Sequence, residues 1–513
     1  MARSRTRLRA SLLAWILLLV GAFPAIAVDA RDVLGVSHAD GKYNFTDQDY
    51  LNEGADRILD LGSRVIKVFL IPSTIKDLYR FNSDWNPPAT DVVDLIQRAH
   101  FQDLLAKPFT TIILVIPAVT GTGPSQFLDG LSREEAAAEA DQVYRLTKYL
   151  LTTYKGTGKT FILQNWEGDH LLKQGLTGET PPDPVRIQGM ADWWNVRQDG
   201  MRKARQEVGS DNVEVLHGCE VNFLGRAMDG KVTATNNVVP LTHCDLYSYS
   251  SWDIAFQPDD LVRALDWLEE RAPDNRRFGS RNIYLGEYGM AKDHGAPEGE
   301  RPERIRRLME AALGWGVRYA VYWQVYCNEA IHVYSGRPRA RDLRGFWLIR
   351  PDGEKAPMWS MIASQLDAGI YRLALSSFSN QYFSVDEDGD HSVSASRWVR
   401  GGRWETFTLK DWNGGAISDG DLVSLQAHDG RYLTVGSGSG ARVAARALEA
   451  ERSERFTIHK VLGTGPIKPG DSITLQTRAG RYLGAEVGGK GAIRALRTVP
   501  GQTEVFRYVE PED

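Results

Sequence analysis

Between residues 31 and 370 the chain alternates between short apolar, β-rich runs and stretches of helical periodicity, and that alternation leaves few folds open. The runs are Val33–Ser37, Arg64–Leu70, Thr110–Pro117, Thr160–Asn165, Val213–Cys219, Cys244–Ser250, Asn282–Glu287 and Tyr319–Tyr326. Helical periodicity covers Asp47–Leu61, Asp91–Lys107, Arg133–Tyr154, Ile187–Val208, Asp259–Glu270, Arg304–Trp315 and Pro357–Ala368. The gap from Asn222 to Thr242 carries no helical pattern, so the fifth crossover is weak. Eight strands, nearly all followed by a helix, predict an α/β fold of the (β/α)8 TIM-barrel kind. An open doubly wound sheet is the competitor. It usually carries a Gly-rich phosphate turn after its first strand, and Gly35-Val36-Ser37-His38 is not one.

After residue 370 the helical periodicity stops, and short strands with Gly turns take over. Asn380-Gln381-Tyr382-Phe383 recurs as Gly430-Arg431-Tyr432-Leu433 and again as Gly480-Arg481-Tyr482-Leu483, at intervals of 50 residues. Leu375, Leu425 and Leu475 precede these turns, and Phe407, Phe456 and Phe506 follow them. Three all-β repeats predict a β-trefoil, with Leu, Tyr (382, 432, 482) and Phe of each repeat in a shared core; a solenoid is the rival arrangement. The Gly-Arg-Tyr-Leu turn resembles fascin-like trefoils. It lacks the Gln-x-Trp of ricin-type lectins, so sugar binding does not follow from it.

With 513 residues the chain suits two domains. The reading is a signal peptide at 1–27, a barrel at 28–370 and the trefoil at 371–513. Arg3, Arg5, Arg7 and Arg9 precede an apolar run, Ser11 to Phe23, and Ala25-Ile26-Ala27 follows as a cleavage signal. That run is short for a membrane span. The expectation is a secreted or periplasmic monomer with no membrane association once the signal is removed. A formal net charge of −5 and the absence of a long basic run give no reason to expect nucleic acid. Cys219, Cys244 and Cys327 are the cysteines. The strand reading sets Cys219 and Cys244 at opposite ends of neighbouring strands, beyond the Cα spacing of about 4.4–6.8 Å that a disulfide requires, so three buried thiols are expected. Their spacing fits no zinc motif, and no cofactor or metal is implied.

Two stretches carry the chemistry: Gln164-Asn165-Trp166-Glu167-Gly168-Asp169-His170 and Leu285-Gly286-Glu287-Tyr288-Gly289. Each puts a glutamate at the end of a strand-like run, the fourth and the seventh, on the face where barrel loops build active sites. Residues 31–370 resemble the clan A glycoside hydrolases, which are retaining (β/α)8 enzymes. That resemblance implies Glu167 as the acid/base, Glu287 as the nucleophile and Trp323 on the eighth strand as a sugar platform. The segment Leu348-Ile349-Arg350-Pro351-Asp352-Gly353 is similar to the entry into the clan's final helix. The clan usually has Asn directly before the acid/base, where it meets the sugar 2-hydroxyl. Here Trp166 holds that place and Asn165 is one step earlier, on the alternate face of the strand.

Other residues have a structural as well as a functional reading. His38 and Asp40 after the first strand either meet a terminal sugar or make the turn. His217, Glu220 and Asn222, placed after the fifth strand, are candidates for substrate recognition. Tyr249 and Trp252 either face substrate or pack the core, and Tyr249 or Tyr288 could hydrogen-bond Glu287. Asp169 and His170 read as loop or subsite residues. The function expected is exported, retaining hydrolysis of β-linked poly- or oligosaccharides: β-glucan, β-mannan or a microbial exopolysaccharide. A non-catalytic carbohydrate-binding protein and a transglycosylase using the same glutamates are the alternatives.

Overall fold

The computed structural model describes residues 28–119, 127–254, 256–386, 389–399, 402–436, 441–486 and 491–511. The segment read as a signal peptide, 1–27, lies outside the described residues. No helix among the described residues is long and apolar enough to cross a membrane.

Eight strands close into a parallel barrel: β1 (Leu34–Ser37), β2 (Val65–Phe69), β3 (Thr111–Val115), β4 (Thr160–Gln164), β5 (Glu214–Val221), β6 (Leu246–Ser250), β7 (Ile283–Tyr288) and β8 (Ala320–Tyr322), with β8 returning to β1. The strands are buried on both faces, which is why they read as continuous apolar runs rather than alternating ones. Their order is the order in the chain, and each crossover packs outside the barrel. Local signals set the helix ends. Ser132 and Glu135 form a capping box on Arg133–Thr153, and Asp183 caps Pro184–Val208 with Pro184 in the first turn. The fifth crossover is a short helix, Leu224–Met228, followed by the single turns Ala234–Val238 and Val239–Leu241. The pattern at Asp91–Lys107 resolves into two helices, Val92–Ile96 and Ala99–Ala106. Arg98 between them is extended, and the Gln102 amide donates to the Ile96 carbonyl that the break exposes.

The lumen is layered. Val65, Ile113, Ile162, Leu216, Leu246, Tyr284 and Val321 form an apolar plug. One layer closer to the strands' C-terminal ends the inward side chains become polar, and the candidate site begins there.

Among its described residues the second domain has twelve strands: β9 (Gly369–Ser376), β10 (Tyr382–Val385), β11 (Val393–Arg397), β12 (Phe407–Asp411), β13 (Leu422–Gln426), β14 (Tyr432–Val435), β15 (Val443–Ala447), β16 (Phe456–Lys460), β17 (Ser472–Thr477), β18 (Tyr482–Ala485), β19 (Ile493–Arg497) and β20 (Phe506–Val509). Strands β9, β12, β13, β16, β17 and β20 pair in a closed antiparallel ring, and the others form three hairpins that meet through bridges such as Ser394–Ala492 and Arg442–Arg494. This is the β-trefoil architecture. The repeated Leu and Phe residues fill its core, but Tyr382, Tyr432 and Tyr482 do not. Side chains alternate along a strand, and the next residues, Phe383, Leu433 and Leu483, are the ones that point inward. Tyr382 and Tyr482 are half-buried; Tyr432 is buried only because the barrel covers it, beside Glu310 and Arg306.

The trefoil grips the helices Pro258–Glu269 and Arg301–Trp315. Lys410 Nζ donates to Glu310 Oε1 at 3.0 Å in a buried pair, and Arg403 bonds both Asp266 and Glu269 at 2.9 Å. His428 reaches Asp266, which also accepts from the Trp315 indole.

The cysteines differ from the expectation of three thiols. Cys219 and Cys244 form a disulfide, with Cα atoms 6.6 Å apart, and Cys327 is free and buried. Strand β5 continues past Cys219 to Val221, so Cys219 is not at its end; it pairs with Tyr247, three residues from Cys244. The stagger between β5 and β6 therefore brings the approach to β6 alongside Cys219. Opening this 25-residue separation, by Cys244→Ser or by a reducing agent, should lower unfolding free energy by about 3 kcal/mol. Urea melts of the oxidised, reduced and Ser forms read it directly; identical midpoints would mean that the link adds no stability.

Candidate active site

Polar side chains from five strands converge on the C-terminal side of the apolar plug. Lys67 from β2 is wholly buried, with Nζ 2.8 Å from Glu287 Oε1 and 3.0 Å from Glu220 Oε2. Glu220 Oε2 also accepts from Gln164 Nε2 at 2.8 Å and from Ser248 Oγ at 3.2 Å. Its other oxygen accepts the Glu167 backbone N–H at 2.9 Å. Glu287 Oε2 accepts from the Trp252 indole at 3.0 Å.

Local backbone features aim the two glutamates. The register between β6 and β7 slips between Tyr249–Leu285 and Ser250–Glu287, a bulge of the sort that redirects a side chain beside a site. Gly286 sits at the slip; a Cβ there would lie 1.9 Å from Ser248 Oγ and 3.0 Å from Glu220 Oε2, so no larger residue fits. Glu167 follows β4 in the left-handed region at φ 38°, a conformation that costs a non-glycine residue about 1–2 kcal/mol. The hydrogen bond from its N–H to Glu220 holds it there. Gly168 comes next, and a Cβ on it would lie 2.3 Å from the Glu220 carbonyl oxygen.

The two carboxyls have different surroundings. Burial pushes Glu167 up to about 8, and the negative charges of Glu287 and Glu220 push in the same direction. Glu287 is raised as well, by burial and by the Glu220 charge, against Lys67 and the Trp252 N–H, which favour its ionised form. Burial works against the Lys67 ammonium; the flanking carboxylates of Glu220 and Glu287 outweigh it and raise the lysine. The result is one carboxyl paired with a cation and one that holds its proton at neutral pH. His170 Nε2 lies 4.0 Å from Glu167 Oε2 and packs edge-on to Phe223.

The structure brings some sequence candidates to this site and places others away from it. Trp323 faces the lumen, edge-on to Phe69, and is nearly buried; Trp252 touches Glu287. Trp166 is 45% exposed beside Glu167. Asn165 is committed elsewhere: its amide bonds both the N–H and the carbonyl of Glu220. Glu220 is buried and saturated with donors. Asn222 exchanges bonds with Asp169, whose carboxylate also ties the Phe223 and Ala234 N–H groups together. His217 and Tyr249 lie on the helix-facing side of their strands, as parity with inward Leu216 and Ser248 requires; the Tyr249 hydroxyl bonds Asp253, not Glu287. Tyr288 packs against Tyr322. His38 is buried against Tyr50 and donates to its carbonyl oxygen at 2.7 Å; burial lowers it to about 4. Asp40 sits at the rim, held by Lys42 and Arg80.

Sequence reasoning passed over Lys67, Gln164 and Ser248. Lys67 had a signal: it is a lone cation inside Val65-Ile66-Lys67-Val68-Phe69, and lysine is almost never buried without a partner. Among the described residues, the metal-type ligands that lie close together as a set of three are His217, Cys219 and Cys244, with ligand atoms within 4.8 Å. The two sulfurs are bonded to each other, which leaves His217 as the remaining donor of ligand strength.

Residues 379–508 match the Fascin domain family model. No curated protein sequence matches the chain. The chain is similar to a GH5_18 enzyme from Bifidobacterium longum solved with Manb1-4GlcNAc, at 12% identity over 65% of this chain and 77% of that one, with a TM-score of 0.42. It is also similar to a GH39 enzyme from Xanthomonas axonopodis pv. citri, at 12% identity, 71% and 74% coverage and a TM-score of 0.41. An SDF2-like protein from Arabidopsis thaliana matches 27% of this chain and 92% of its own, at 11% identity and a TM-score of 0.25.

The raised Glu167 carboxyl has a consequence for stability that needs no substrate. The unfolded chain loses this proton near pH 4.5 and the folded one near 8, so the group costs stability progressively as pH rises between those values and costs nothing below them. Glu167→Gln should therefore be more stable than wild type at pH 9, by up to about 4 kcal/mol, and show little difference at pH 4. Urea melts at both pH values check it; a constant offset between the two proteins would contradict the raised titration.

Proposed function

We propose that this protein is an exported, retaining glycoside hydrolase acting on β-linked poly- or oligosaccharides. The observation that carries the reading is the pair Glu167 and Glu287 on opposed strands of one barrel mouth, the first raised to about 8 and the second paired with the Lys67 ammonium and the Trp252 N–H. The Glu287 carboxylate attacks the anomeric carbon as Glu167 gives its proton to the departing glycosidic oxygen, forming a glycosyl ester and a free alcohol. Glu167, now ionised, takes a proton from water; the water oxygen attacks the anomeric carbon and the ester bond breaks. Lys67 and Trp252 hold the attacking carboxylate in place. Trp323 offers an indole face beside the reacting ring. The Cys219–Cys244 disulfide supports export, since such links persist in oxidising compartments.

The test is release of reducing ends from purified β-glucan, β-mannan and bacterial exopolysaccharides by wild type, Glu167→Gln and Glu287→Gln. Turnover should fall at least about a thousandfold in both variants. Activity of the wild type should decline as pH rises through about 8, where Glu167 loses the proton it must donate. Turnover unchanged in either variant would remove that residue from the mechanism.

A further inference from the structure

We propose that Glu220 is the positioning residue of this site, fixing the backbone of the acid/base glutamate with one carboxylate oxygen and sharing the nucleophile's lysine with the other. The roles of Glu167 and Glu287 are those of the reading above. Glu220 is wholly buried, so it acts on its neighbours and not on substrate. Oxygen Oε2 receives Lys67, Gln164 and Ser248, from β2, β4 and β6, and Oε1 receives the Glu167 N–H. Those donors leave no room for a donor on Glu220 itself. An amide in its place would turn an NH2 group either toward Lys67 or toward Glu167 N–H. The same carboxylate therefore sets two things at once: the left-handed turn at Glu167, and how much of the Lys67 charge remains for Glu287.

The charged groups that face Glu167 are Glu287 on β7, Glu220 on β5, Lys67 on β2, Glu329 after β8 and His170 one turn along its own helix. Neutralising Glu220 removes a negative neighbour and leaves Lys67 to Glu287 alone. Both titrations should then move to lower pH together.

The experiment compares kcat/KM against pH for wild type, Glu220→Gln and Glu220→Asp, alongside 13C NMR titration of the glutamate side-chain carboxyls in each, with Glu167 assigned through Glu167→Gln. In Glu220→Gln both limbs should shift down by about one pH unit, and kcat should fall about a hundredfold with KM little changed. Glu220→Asp keeps the charge but shortens the reach, so its limbs should stay near wild type while kcat falls. A residue that merely fills the lumen would lower activity with both limbs fixed, and that result overturns the proposal. If wild type hydrolyses no glycoside, the hydrolase reading fails while the NMR titration still decides this one: a lowered Glu167 titration in Glu220→Gln supports it, and an unmoved one sinks it. Should Glu220→Gln not fold, an Asp variant with the wild-type Glu167 titration and full kcat would overturn the claim equally.

Discussion

A lysine with no solvent contact lies at the centre of the barrel, and its charge dictates what can surround it. An ammonium buried alone would give up its proton; one flanked by two carboxylates keeps it. Lys67 has Glu287 on one side and Glu220 on the other, at 2.8 and 3.0 Å. The same two carboxyl groups bear on the next titratable group along the rim, Glu167, which is raised first by burial and then by their charge. The difference between the two rim glutamates thus originates in a residue that neither of them adjoins in sequence.

Holding such a cluster requires backbone that departs from the regular barrel. A regular β7 would point Gly286 inward and Glu287 outward, toward the helices. The slip in register against β6 rotates Glu287 into the lumen. Glu167 is aimed by a second departure, the left-handed turn after β4. Both departures lie at the polar layer, whereas the apolar plug keeps to regular parallel pairing. Hydrogen bonds to charged groups hold both departures in place.

This explains which parts of the molecule were legible in the sequence. Strand and helix positions depend on periodicity and capping, which are local, and all eight barrel strands fall within a few residues of their apolar runs. The placement of the two glutamates at the barrel mouth was legible because one follows strand four and the other lies near the end of strand seven. Inward or outward orientation was less so. His217 and Tyr249 are polar residues on strands, and only the parity of Leu216 and Ser248 shows that they face the helices. Asn165 looked available until its amide met the backbone of β5, a contact 55 residues away. The disulfide was missed because it depends on the stagger between β5 and β6, which apolar runs do not encode. Tyr382 and Tyr482 repeat as faithfully as the true core residues, since turn geometry imposes its own periodicity beside that of packing.

The trefoil bears on the site through the barrel's outer layer. The helices Pro258–Glu269 and Arg301–Trp315 precede and follow β7, the strand that carries Glu287. Both are gripped by the trefoil: the first through Asp259, Asp266 and Glu269, the second through Glu310 and its close fit at Gly314, where a Cβ would lie 2.7 Å from Gln426. The Lys410–Glu310 pair is buried, so separating the domains would expose or strand two charges rather than one surface contact; a buried pair deprived of one member typically loses about 3–5 kcal/mol. Tyr432 shows an asymmetry within the trefoil, being buried where the second repeat meets the barrel through His428 and Arg431, while Tyr382 and Tyr482 of the other repeats stay half-exposed although the first also touches the barrel through Arg403 and Lys410. The pseudo-threefold symmetry of the trefoil is therefore broken at the surface that packs behind β7, and the second repeat is committed to the barrel.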